Sequence, residues 1–224
     1  MPTEKPTTTW LFWPGFIIVW IGFALMYGAR LDVVPGAVVL WAAIASTGFL
    51  LAAWTPRARR DAFSVLIFVG LAGCWLGDVI GPFDFMTGVY AFFLAHAAFI
   101  AACWKKGIGR SQALMATAPV VITSAILLMV ILPKTPEEEV VKIASYTVLI
   151  SAMVIAAVGA GKNNPPLIAA AITFFISDVF VAFWKFGDST ASGWICYPIY
   201  YTACLLFAYS VHARSSVVRP SRMA

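Results

Sequence analysis

Eight apolar runs of about 20 residues each, separated by short polar breaks, constrain this chain more than any other feature. They extend from Trp10 to Ala29, Pro35 to Trp54, Phe63 to Ile80, Phe85 to Trp104, Leu114 to Leu132, Val141 to Ala160, Leu167 to Phe186 and Trp194 to Val211. At 1.5 Å of rise per residue, a helix of this length crosses a hydrocarbon core of about 30 Å. Of the 224 residues, 62% are apolar and 11% charged, whereas soluble domains are about half apolar and a quarter charged. The expected class is therefore all-α: a polytopic integral membrane protein, a bundle of about eight transmembrane helices. Eight spans leave no room for a soluble domain, so residues 1–224 read as one membrane domain. It has an N-terminal tail at 1–9, the bundle at 10–211 and a C-terminal tail at 212–224. The breaks TPRARRD, GPFD, KKGIGRSQ, PKTPEEE, GKNNPP and GDSTASG hold the proline, glycine and charge that end helices.

A net charge of +5 does not imply a nucleic-acid partner here, because the cations sit in short loops beside the apolar runs. Arg30, Lys134, Lys142 and Lys185 fall on one side of the expected topology, and the other eleven Lys and Arg fall on the opposite side. By the positive-inside rule both termini are expected in the cytoplasm. The first apolar run lacks a small-residue cleavage motif and is expected to remain as a helix. Glu137, Glu138 and Glu139 read as a solvated cap before the sixth helix. Cys74, Cys103, Cys196 and Cys204 show no CxxC spacing and read as small core residues.

Carboxylates within apolar helices are costly and face a bundle interior or a watery cavity. Two occur here: Asp178 near the middle of the seventh run, and Asp78 six residues before Asp84. By helical rise they lie about 12 and 9 Å from the same boundary, and their helices run in the same direction. Two carboxyls sharing a dry site do not ionise together, which would give one acid and one base. The alternative is that each aspartate only bonds a polar group on a neighbouring helix. His96, Tyr146, Ser151, Tyr197, Tyr200 and Tyr201 lie at compatible depths. Ser177 is next to Asp178 but points elsewhere on the helix, so it reads as a supporting group rather than a nucleophile. LGDVIG in the third run and ISDVFV in the seventh form a short echo four helices apart, as a duplicated four-helix unit would.

Several chemistries find no support. Only His96 among the two histidines lies within the membrane, which argues against a tri-histidine zinc centre. Lys185 sits at a helix end, unlike a Schiff-base lysine for retinal. There is no GxSxG, Walker or dinucleotide fingerprint.

Four segments carry a family resemblance, in order: GCWLGDVIG, FMTGVYAFFLAHAAFIAA, SYTVLISAMVIAA and ITFFISDVFVAFWKF. With its GD, then G-x-x-x-F-x-x-x-H, then SD, the chain resembles the YhhN family of eight-helix membrane proteins, whose characterised members are lysoplasmalogenases. It departs from that pattern at Val34, which precedes Pro35 where many members carry Lys, and at Cys204, where many carry Gln. The resemblance implies hydrolysis of the vinyl ether bond of a lysoplasmalogen to a fatty aldehyde and glycerophosphocholine or glycerophosphoethanolamine. Asp78 and Asp178 would be catalytic, with Asp178, taken as the more buried, as the acid. His96 and Tyr146 would orient the carboxylates, with Ser177 beside them. Tyr200 and Tyr201 would line a head-group pocket where an aromatic face could hold a choline cation. The partners would be a lysophospholipid substrate and membrane lipids, with no nucleic acid, no cofactor and no metal. A proton-coupled carrier or a non-catalytic scaffold are the competing readings, since paired intramembrane acids occur in transporters too.

Overall fold

The computed structural model describes residues 10–54 and 61–213. Residues 1–9, 55–60 and 214–224, which carry seven of the eleven cations behind the expected orientation, lie outside the described residues. Eight α-helices account for the described chain: α1 Phe12–Arg30, α2 Val38–Ala53, α3 Ala62–Ile80, α4 Phe85–Lys106, α5 Arg110–Ile131, α6 Glu137–Ala160, α7 Pro165–Phe186 and α8 Thr190–Ala213. Seven are long and apolar enough to cross a membrane, and the chain is a multi-pass membrane protein.

The shorter helix is α2, whose 16 residues rise about 24 Å. It begins at Val38, not at Pro35. Gly36 has a φ of 107°, a left-handed conformation that glycine adopts without strain. The indole of Trp41 donates to the carbonyl of Pro35 at 3.2 Å, so the Pro35–Gly36 turn is folded back against the helix it precedes. At the other end of the chain, α8 runs past Val211 and includes His212, which was expected in the tail. The buried His212 ring bonds the carbonyl of Ala52 through Nε2 at 2.9 Å, joining the ends of α8 and α2.

Successive helices pack as the hairpins α1/α2, α3/α4, α5/α6 and α7/α8. Small residues let the first pair approach closely. A Cβ on Gly15 would lie 2.5 Å from the Ala52 nitrogen, and one on Gly22 would lie 2.6 Å from the Ala45 nitrogen. The hairpins then assemble in a repeating way: α2 packs on α3 and α8, as α6 packs on α7 and α4. Helix α1 covers α2 and touches α8, while α5 covers α6 and touches α7. Most of these contacts match after a shift of four helices, consistent with the short sequence echo. The core where the two halves meet is aromatic: Phe99 and Phe207 stack at 4.0 Å, with Phe174 against both.

Candidate active site

Asp78 lies two residues before the end of α3, where α2 and α8 close on it. Its Oδ2 accepts from the hydroxyl of Tyr200 on α8 at 2.8 Å and from the hydroxyl of Ser46 on α2. Asp178 lies deeper in its helix, eight residues before the end of α7, and its Oδ2 accepts from Tyr146 on α6 at 2.8 Å. His96 on α4 brings Nε2 to 3.8 Å from the same oxygen. Each carboxyl is thus held by the helix before its own, and approached by α8 in one half and α4 in the other.

The state of His96 follows from its other nitrogen. Nδ1 lies 2.6 Å from the carbonyl of Phe92, one turn back. A carbonyl only accepts, so Nδ1 carries a hydrogen, and in the neutral ring Nε2 presents a lone pair. That atom is fully buried without a hydrogen-bond partner. It faces Asp178 at a distance too long for a direct bond.

An aromatic wall links the two acids. The ring of Phe174 is 5.4 Å from Tyr200 and 4.8 Å from His96, and Phe92 lies 5.8 Å from Tyr200. In front of this wall is a cavity of about 440 Å³, lined by both aspartates together with Tyr146, Ser177, Tyr197 and Tyr200. It extends to Gly81, Pro82, Lys185 and Arg30, where α1, α3 and α7 end. Its other surface is apolar, with Leu127 of α5, Ile143 and Ile150 of α6, and Phe175 and Val179 of α7. No cluster of three His, Cys, Asp or Glu able to hold a metal occurs among the described residues.

The YhhN family profile matches residues 37–211, more than three-quarters of the sequence. The chain belongs to the YhhN family. No curated protein and no solved structure matches it. The matched segment contains both aspartates and all their hydrogen-bond partners.

Of the site residues expected from the sequence, Asp78, Asp178, Tyr146, Ser177 and Tyr200 line the cavity, and His96 stands behind Asp178. Ser177 donates to the carbonyl of Cys196 at 3.1 Å, so its hydroxyl is engaged by the backbone of α8. Tyr200 lines the cavity and also holds Asp78. Tyr201 turns away: it is fully buried, with its hydroxyl 3.9 Å from the sulfur of Met26. The expected order of burial is reversed as well. Asp78 is buried and Asp178 half-buried, although both border the cavity.

Ser46 and Phe174 carry no sequence signal distinguishing them from packing residues. Phe92 carries a weak one, because it stands one turn before His96 in the F-x-x-x-H pattern.

Proposed function

We propose that this protein is a lysoplasmalogenase-type ether hydrolase that uses Asp178 as the acid and Asp78 as the base. The observation that carries this reading is the pair of carboxyls, each fixed by a tyrosine, on one mainly apolar cavity within the membrane. Family membership supports the same activity.

The assignment of roles rests on hydrogen bonding rather than burial. Asp78 accepts two hydroxyl donors, which suit a carboxylate. Asp178 accepts one, and faces the lone pair of His96 Nε2. A protonated carboxyl is compatible with that neighbour, whereas a carboxylate is repelled by it. Asp178 gives its proton to the β-carbon of the vinyl ether, leaving an oxocarbenium ion, much as in glycoside hydrolysis. Asp78 takes a proton from water as it adds, forming a hemiacetal. Asp78 then protonates the ether oxygen while Asp178 takes the hemiacetal hydroxyl proton. The aldehyde and the glycerophospho-alcohol leave, and both aspartates return to their starting states.

The lipid tail fits the surface of Leu127, Ile143, Ile150, Phe175 and Val179. With both termini cytoplasmic, the mouth beside Arg30 and Lys185 opens on the outer side.

Purified protein in detergent, given a lysoplasmalogen in water enriched in ¹⁸O, tests the reading. Aldehyde release with no label in the glycerol hydroxyl supports it, since water adds to the vinyl carbon. Well-folded protein that releases no aldehyde contradicts it, and pH-driven solute uptake into liposomes would support a carrier instead.

A further inference from the structure

We propose that Arg30 and Lys185 form an anion subsite at the mouth of the acid cavity that binds the phosphate of a single-chain phospholipid, an inference that rests on the hydrolase reading. Arg30 is the last residue of α1. A cation there would ordinarily extend its head toward the membrane surface. Its guanidinium instead folds inward: Nη1 donates to the carbonyl of Gly193 at 3.0 Å. Its Cζ lies 4.3 Å from the ring centre of Trp194, 5.5 Å from Tyr197, 5.7 Å from Trp184 and 5.8 Å from Tyr27. The Tyr27 hydroxyl, in turn, donates to the carbonyl of Trp194. Four rings and a carbonyl hold a fork of five N–H donors with one of them engaged.

Lys185 meets the same indole. Its Nζ lies 4.3 Å from Trp184 and 4.7 Å from Phe85. Both cations line the cavity that contains the aspartates. No carboxylate among the described residues lies within 4.0 Å of either, so neither is ion-paired, and Glu139 and Asp188 line a neighbouring hollow with Lys185. A fixed guanidinium fork and an ammonium lining one cavity match the oxygens of a phosphate.

The spacing agrees with the proposed chemistry. Asp178 and Lys185 are seven residues apart on α7, about 10 Å of helical rise. In a 1-alkenyl glycerophospholipid, seven bonds separate the β-carbon from phosphorus, about 8 Å when extended. A phosphate at the mouth therefore places the vinyl ether at Asp178. The choline or ethanolamine then projects past Pro82, and the rings that could have held a quaternary ammonium already hold Arg30. KM is expected to differ only a few-fold between the two head groups.

The test uses the full chain in detergent with two substrates, 1-alkenyl-glycerophosphoethanolamine and 1-alkenylglycerol, which lacks phosphate. Arg30→Gln and Lys185→Gln should each raise KM for the first by roughly tenfold to a hundredfold. KM for the second should move far less, and kcat for the first less than KM. Arg30→Lys, which keeps the charge and loses the fork, should fall between Arg30→Gln and wild type. Equal losses on both substrates, or no change in KM, would overturn the subsite while leaving the hydrolase reading intact. If wild type cleaves neither substrate, the hydrolase reading fails, and binding of the saturated ethers 1-alkyl-glycerophosphocholine and 1-alkylglycerol decides the subsite. Weakening of only the phosphate-bearing ether in Arg30→Gln supports it, and equal affinity in variant and wild type overturns it. Inorganic phosphate is titrated as competitor: displacement at concentrations similar to the lipid would mark a free-anion site and overturn the lipid assignment.

Discussion

Tyr200 and Tyr146 bond equivalent oxygens from equivalent distances, yet removing them should have different consequences. Tyr200→Phe leaves Asp78 its Ser46 donor, whereas Tyr146→Phe removes the one hydroxyl on Asp178. Asp178 becomes a carboxylate as it gives up its proton, and a hydrogen bond to a charged group contributes about 1.5–3 kcal/mol, so turnover should fall by roughly tenfold or more in Tyr146→Phe. The loss should be smaller in Tyr200→Phe, and aldehyde release by the two folded variants checks the order. Ser46→Ala combined with Tyr200→Phe should lose more than the sum of the single changes, because the double variant leaves Asp78 without a hydroxyl donor. Outside the bundle, Asp84 caps α4 by accepting from the Thr87 hydroxyl at 2.6 Å and from the Thr87 and Met86 amides. These bonds hold its carboxyl below the ordinary value of 3.8. The capping stabilisation is full above that value and is lost as pH falls through the lowered one. Asp84→Asn should therefore flatten the acid limb of the thermal stability curve, measured from about pH 5 to about pH 2. Both aspartates of the site were legible in the sequence because a carboxylate interrupts an apolar run. Arg30 was read there as an orientation signal, since a cation at a helix end is ordinary until its neighbours are known.

The helices themselves were legible by length, because each span must cross about 30 Å and the breaks are chemically distinct. Their ends were less so. The apolar run from Pro35 predicts a longer α2 than forms, because hydropathy does not register the left-handed Gly36 or the bond from Trp41 to Pro35. Nor does hydropathy show which faces meet. The contact of α1 with α2 depends on Gly15, Gly22 and Gly48, where a Cβ would press on the opposing backbone. Gly22→Leu should force these helices apart and cost about 1–3 kcal/mol or more. Ile21→Ala, at a position 54% exposed, should change stability little. Thermal melts in detergent distinguish the two, and a similar loss in both would place the packing determinant elsewhere.

At the scale of the whole molecule, the six-residue echo between α3 and α7 was a small trace of a larger regularity. The side chains around the two acids differ, with Ser46 in one half where the other has Tyr146, and Tyr200 where the other has His96. The helix packing repeats over a shift of four helices where the side chains do not. That difference gives two carboxyl sites on one cavity unlike surroundings, and with them the proposed division into acid and base. The most direct measurement is kcat for aldehyde release by Asp78→Asn and Asp178→Asn beside wild type, with folding verified by size exclusion and thermal melting. Losing a general acid or base should lower kcat by about 10²- to 10⁴-fold in each variant. Undiminished turnover in both would contradict the assignment of catalysis to this pair.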